Sequence, residues 1–477
     1  MKAVLFKGCR PEVAAGPDGR ILAIGPDARS AAGRDAEVVE MAGTALPGLH
    51  DAHLHLEWLA LRNLTIDLQD VPTRRQALAR IRIWAQRLPE GAWVVGRGWY
   101  NDAWRDDPSW PRPEELDATA GGRPAILTRK DGHSAWLSSA AVRAAELRAE
   151  DQDPPGTVKE TMIEAVRKLV APPSDDAFDR GMLGALRALA AKGITSAHTM
   201  DTPRAFRSFQ RLNAAGRLPL RVTWNFPASD LAAAERIGIR SGWGDDMLRI
   251  WGVKAFLDGS LGSRTAEMLD GSGVTVLPQD ELRELVRRCA EAELNVCLHA
   301  IGDRAVRRAL DALEPHRGAW RYWRPRIEHA QCVDPADVPR FSAVGVIASM
   351  QPIHAVADRE LADREWPRVA GHSYAWRLLL DAGAVLAFGS DAPVEDAAPL
   401  LGIDAATGWR RRAGWHPELA ISRAAAVRAY TAGAAYAAGT EKTVSRLAAG
   451  MLCDLTFVDG KQVLGTAVGG RLTWRRA

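Results

Sequence analysis

Residues 47–58 read PGLHDAHLHLEW, with His53 and His55 one residue apart in an apolar run behind a Pro-Gly turn. Side chains on a strand alternate between faces, so the two imidazoles point the same way, and two nitrogens aimed at one spot suit a metal ion. A catalytic site of the zinc type needs nitrogen and oxygen ligands on rigid elements, with one coordination position left for water. Further donors of the right kind are His299 in CLHAIGD, His329 in RIEHAQ and Asp391 in FGSDAPV. A histidine taken singly is more often a hydrogen-bonded core residue; the set taken together points to a metal centre.

Lys254, in WGVKAFLDGSLGSRTA, needs its own account, because an ammonium is repelled by neighbouring metal cations. Two readings stand open. Either its head pairs with Asp258 or reaches solvent, or its amine, deprotonated by burial and nearby cations, reacts with carbon dioxide to give an anionic carbamate that bridges two metals.

These residues need a scaffold that brings distant segments to one place. The middle of the chain alternates apolar strand-like runs with amphipathic helical stretches. SDDAFDRGMLGALRALAAKG starts at a Ser174 cap with an acidic first turn and stops at Gly193, and ITSAHTM follows as a strand. Such alternation over roughly 300 residues implies parallel strands, in a (β/α)₈ barrel or a doubly wound sheet. His55, Lys254, His299, His329 and Asp391 each lie near the end of an apolar run, which favours the closed TIM barrel, whose chemistry gathers at the carboxyl ends of its strands. Both termini are short-stranded and turn-rich, as in GPDGR near the start and LAAGMLCDLTFVDG near the end, so they are expected to form one small β-sandwich. The expected boundaries are 1–46 and 440–477 for the sandwich and 47–439 for the barrel, with an insertion at about 60–173 read as a lid or subdomain over the mouth.

Composition excludes several other classes. The 62 Lys and Arg against 59 Asp and Glu are scattered along the chain, which argues against a nucleic-acid or polybasic membrane partner. No run is long enough for a membrane span, and MKAVLFKGCR lacks the core of a signal peptide. Cys9, Cys289, Cys297, Cys332 and Cys453 are widely spaced, without a C-x-x-C pair, so a reduced, cytoplasmic protein is expected.

The ordered set H-x-H, Lys, His, His, Asp resembles the amidohydrolase superfamily. The segments PGLHDAHLH, KDGHSAWLSS, VKAFLDGSLGSRTA, LHAIGDRAV, RIEHAQ and GVIASMQPIHAVAD resemble its YtcJ-like branch, also called amidohydrolase family 3. The resemblance covers nearly the whole chain. It implies that His53, His55 and Asp391 bind one metal and His299 and His329 another, with Lys254 bridging as a carbamate. It thus implies two divalent ions, expected to be zinc, or one if Lys254 is unmodified. His50 departs from the family pattern and, by strand parity, is assigned to the helix layer. Asp303 is expected to cap a helix. Arg264 is a candidate for a substrate carboxylate or carbonyl, with a structural ion pair as the alternative. Asp131, His133 and Trp136 in the insertion, and His198 and His354 at strand ends, are further candidate substrate contacts, His198 also as a spare ligand.

The expected activity is hydrolysis of a non-peptide carbon-nitrogen bond, of amide or N-formyl type, in a small-molecule substrate by metal-activated water, with Asp391 as general base and then general acid. A hydrolase or deaminase of the same fold acting on an ester or heterocycle stays open, as does a non-catalytic barrel serving as an assembly module. The oligomeric state is also open, a homo-oligomer included.

Overall fold

Apolar runs that end in a polar residue become the strands of a parallel barrel. The computed structural model describes residues 2–130, 134–159 and 161–477. It divides the chain into two compact units, Met1–Glu57 with Leu183–Ala477, and Trp58–Met182.

In the first unit, eight parallel strands follow one another in order: β1 Leu49–Leu54, β2 Ile194–Thr199, β3 Arg221–Pro227, β4 Leu248–Phe256, β5 Asn295–Ala300, β6 Arg326–His329, β7 Ile347–Met350 and β8 Val385–Phe388. Helices between them turn one apolar stripe inward; Gln279–Glu291 buries Leu282, Val286, Cys289 and Ala290, and Asp303–Leu313 buries Val306, Ala309, Leu310 and Leu313. Ser174 caps its helix as expected, its Oγ accepting from the Ala177 N–H at 3.3 Å. The barrel closes where the chain leaves β8: the Asp391 N–H donates to the His53 carbonyl at 2.7 Å and the His55 N–H to the Ala392 carbonyl at 2.8 Å. Closure requires glycine at 389, because a Cβ there would lie 2.5 Å from His53 N and 2.7 Å from Asp51 Oδ1.

The termini build two four-stranded sheets. Val4–Lys7, Val13–Ala15, Ile21–Ile24 and Glu37–Glu40 form one, and Thr44–Pro47, Leu455–Asp459, Gln462–Val468 and Arg471–Arg475 the other, which is antiparallel throughout. Phe6 and Phe457 meet in their shared core with ring centroids 5.3 Å apart, beside Met41, Met451 and Cys453. All five cysteines are buried and free. Among the described residues no helix is long and apolar enough to cross a membrane.

The second unit carries a five-stranded mixed sheet whose strands lie in chain order: Ile66–Asp67, Val94–Trp99, Ala125–Arg129, Ser134–Leu137 and Thr157–Lys159. The first three run parallel and the last two pair antiparallel. Its core is rich in tryptophan. The Trp99 indole donates to the Leu127 carbonyl at 2.6 Å and the Trp136 indole to the Arg112 carbonyl at 2.9 Å, so each buried ring keeps its polar edge satisfied.

One buried ion pair ties the sandwich to the barrel floor. Arg221 at the start of β3 donates two hydrogen bonds to Asp454, at 2.6 and 2.8 Å, and Asp454 also accepts from the Gly469 N–H. Asp454→Ala leaves that guanidinium buried without its anion. A loss of about 3–5 kcal/mol of unfolding free energy is expected from urea denaturation. An unchanged midpoint would show that water reaches Arg221 freely.

Candidate metal centre

Strand ends converge at the closed rim. The ligating atoms of His53, His55 and Asp391 lie within 4.8 Å of one another. Asp391 Oδ1 is 3.2 Å from His55 Nε2 and 3.5 Å from His53 Nε2. The His53 ring is 4.8 Å from His329, centroid to centroid, and His329 is 4.5 Å from His299. Four histidines from three strands and their ends thus share one site with Asp391.

Each of three imidazoles is held by an acceptor on its outer nitrogen. His53 Nδ1 donates to Glu328 Oε2 at 2.7 Å, His299 Nε2 to the Gly259 carbonyl at 2.8 Å, and His329 Nδ1 to Gln351 Oε1 at 2.8 Å. A neutral imidazole has one N–H, so these bonds leave His53 Nε2, His299 Nδ1 and His329 Nε2 with their lone pairs free. Burial keeps the rings neutral. Helped by Lys254, it pulls His53 down to about 4 and His299 to about 3, and helped by His299 it pulls His329 well below the usual histidine range. Burial pushes the Asp391 carboxyl up, but His354 and His55, with His53 and His329, hold it well below the usual carboxylate range. Neutral nitrogens and an ionised carboxylate are the forms a divalent metal requires.

Lys254 is 4% exposed, and among the described residues its Nζ makes no hydrogen bond, as is also true of His53 Nε2. The expected alternative partner, Asp258, is committed elsewhere. Its carboxylate accepts from the backbone N–H groups of Ile301, Gly302 and Glu267, which lock the loops after β4 and β5 together. Nor does Lys254 reach solvent; its Nζ sits over the Phe256 ring, 4.7 Å from the centroid. Burial pulls its pKa down against the opposing charge of Glu328, which favours the neutral amine.

Two donors adopt left-handed backbone, His329 at φ 72° and Asp391 at φ 60°. Adjacent strand residues ordinarily face opposite ways, yet Glu328 and His329 both touch His53. The turn of the backbone at His329 makes this possible. Such conformations cost about 1–3 kcal/mol each and persist where the surroundings over-determine them.

Glu328 is a residue of this cluster that histidine spacing does not reveal. It pairs with Arg326, Nε to Oε1 at 2.8 Å, and both side chains are fully buried. Arg326 also donates to Ser349 Oγ at 2.8 Å and to the Ala52 carbonyl. The available signal was an arginine and a glutamate at i and i+2 on one face of an otherwise buried strand.

The remaining candidates lie as follows. His198 accepts from Arg326 at 3.1 Å and faces His50 edge-on at 5.8 Å, in the layer around Glu328. His50 therefore does not obey strand parity: the pairing of β1 with β2 shifts between Asp51 and Leu54, and alternation fails across that irregularity. Arg264 is 67% exposed and makes the ion pair foreseen as its alternative, 3.0 Å from Glu365. Trp136 is wholly buried in the second unit, so its packing corrects the expected substrate contact to a core role. Asp303 does not cap its own helix; it accepts from the Leu269 N–H at 2.8 Å and so ties down the preceding loop. His354 is buried with its Nε2 3.6 Å from Asp391 Oδ2. Asp131 and His133 lie outside the described residues.

If the acceptors set the ligand nitrogens, Glu328→Gln should weaken metal binding by roughly 10–100-fold, as measured by competition with a chelator on folded protein. Unaltered affinity would remove Glu328 from the site.

Comparison with known proteins agrees with this geometry. Residues 42–467 match the sequence model of the amidohydrolase family. The chain is 27% identical over 459 residues to the putative amidohydrolase YtcJ of Bacillus subtilis, covering 89% of this chain and 86% of that one. It is 26% identical over 509 residues to the N-substituted formamide deformylase of Arthrobacter pascens, covering 96% and 94%. An uncharacterized metal-dependent hydrolase from Pyrococcus furiosus superposes with a TM-score of 0.79 at 28% identity, over 96% of this chain and 98% of that one. With its ordered ligand set on a parallel eight-stranded barrel, the chain belongs to the amidohydrolase family of hydrolases.

Proposed function

We propose that the protein hydrolyses a non-peptide carbon-nitrogen bond, of amide or N-formyl type, in a small molecule. The observation that carries this is the convergence of His53, His55 and Asp391 with histidine nitrogens held neutral and turned inward. Similarity along nearly the whole chain to a deformylase of N-substituted formamides supports the bond type.

The orphaned His53 Nε2 and the neutral donor set fit a divalent cation, with His53, His55 and Asp391 holding one ion and His299 and His329 a second. Nitrogen and carboxylate donors suit zinc. Such ions supply positive charge that acidifies water and polarises a carbonyl oxygen. Burial pulls the pKa of the Lys254 amine down, which favours its addition to carbon dioxide with loss of a proton from nitrogen; the resulting carbamate would offer anionic oxygen donors beside the histidines. Asp391 takes the proton from the attacking water and returns it to the departing nitrogen, while the histidines, committed to their acceptors and to ligation, carry no proton.

The direct test supplies zinc-loaded protein with N-substituted formamides, N-acyl amines, cyclic amides and matched esters. Release of formate or carboxylate with free amine supports the proposal, and turnover of esters alone overturns it. On whichever amide is cleaved, Asp391→Asn should lower kcat by about 10²- to 10⁴-fold in preparations that keep their metal. Turnover within a few-fold of the parent would reduce Asp391 to a ligand. Lys254→Ala should lose one or both ions together with most activity, and added short carboxylates should restore part of each. Normal metal content and rate in that variant would make the lysine structural.

A further inference from the structure

The two oxygens of Asp391 face different surroundings. Oδ1 faces His53 and His55, and Oδ2 faces His354 at 3.6 Å. His354 opens the helix His354–Glu365 just beyond β7, and its ring lies between two carboxylates, with Nδ1 3.9 Å from Asp358 one helical turn on. Asp358 accepts from the Tyr374 hydroxyl at 2.5 Å. Tyr374 is buried at φ 53°, its N–H donating to the Gln331 carbonyl at 2.6 Å. Its own carbonyl accepts from Arg410 at 3.2 Å, and that guanidinium is fully buried between Trp376 and Trp415, 4.6 and 4.8 Å from the ring centroids. A row of side chains thus runs from Asp391 through His354 and Asp358 to Tyr374; its tyrosine end is hydrogen-bonded and anchored in an aromatic box, while His354 meets both carboxylates at ion-pair distance, without a hydrogen bond at Nε2 among the described residues.

Neither metal binding nor core packing requires this row. A requirement does exist in the softness of the carboxylate. The terminal torsion of an aspartate is broad and two-fold, so the backbone at Asp391 does not set the plane of its oxygens. A base must be held to within about 0.5 Å and 10–20° of its working geometry. The imidazole torsion of His354 is equally soft and needs its own restraint. Asp358, on the same helix face at i+4, supplies it, and the tyrosine hydroxyl fixes Asp358 in turn.

We infer that His354, Asp358 and Tyr374 are positioning residues that fix the carboxylate plane of Asp391, presenting Oδ1 to the histidine pair and holding Oδ2 away from it. The inference rests on the hydrolase function proposed above. It assigns a role to two residues, Asp358 and Tyr374, that do not reach the ligand cluster themselves.

The test uses full-length Tyr374→Phe, which removes one hydroxyl and keeps the buried ring, and Asp358→Asn as a second variant. Each should lower kcat by about 10- to 10²-fold, the scale of a small misplacement of a reacting group, with KM and metal content unchanged. Because they act in series, the double variant should lose no more than the worse single one. In an Asp391→Asn background, Tyr374→Phe should change the residual rate less than two-fold. Crystal structures of the parent and the Asp358→Asn variant, without substrate, give a readout independent of turnover. His354 should face Asp391 Oδ2 in the parent, and the Asp391 carboxylate should rotate or split in the variant. Multiplicative losses, an unmoved carboxylate in the variant, or a KM effect at constant kcat overturn the inference. If the parent cleaves none of the compounds, the hydrolase proposal fails while the carboxylate geometry still decides this one.

Discussion

Glu328 carries a full charge at a position without solvent, and it is stable there because Arg326 and His53 both approach its oxygens. Removing two charges from water costs several kcal/mol per ion, which only close pairing and further hydrogen bonds offset. Arg326 meets that condition by spreading its donors over Glu328, Ser349, the Ala52 carbonyl and His198. The pair therefore links β6 to β1, β2 and β7 in one polar layer beneath the rim. Its consequence for chemistry lies in His53. With Nδ1 spent on Glu328, the ring has one tautomer and one orientation, and Nε2 faces the site.

The same logic extends outward in steps. Gln351 and the Gly259 carbonyl orient His329 and His299, and Asp258 holds the loop that contributes Gly259. Backbone hydrogen bonds across the closure seam set Asp391 against β1. The left-handed backbone at His329 and Asp391 is unfavourable in isolation, and the seam and the buried layer are what maintain it. Stability elsewhere in the barrel and sandwich offsets this local strain.

Much of this order was legible in the sequence, for definite reasons. Period-two spacing identified His53 and His55 as partners, and polar residues at the ends of apolar runs located Lys254, His299, His329 and Asp391 at one face. Alternation failed where the backbone is irregular: the register shift in β1 turned His50 toward His198, and the left-handed turn at His329 let two neighbours face inward together. The contacts of Asp303 with Leu269 and of Trp136 with Arg112 were not foreseen, because a helix start or a place in the insertion cannot reveal a contact made with a distant segment. The mixed sheet of Trp58–Met182 was illegible for the same reason, since its pairings depend on which short strands meet and not on the period within any one of them.

The central claim is that buried acceptors hold neutral histidine nitrogens and the Asp391 carboxylate in place for a metal ion. Anomalous X-ray diffraction from zinc-loaded crystals, collected on both sides of the zinc absorption edge, tests it most directly. The account predicts a peak bounded by His53 Nε2, His55 and Asp391, with the His53–Glu328 hydrogen bond intact. A fully loaded protein whose anomalous density lies away from these three residues would contradict it.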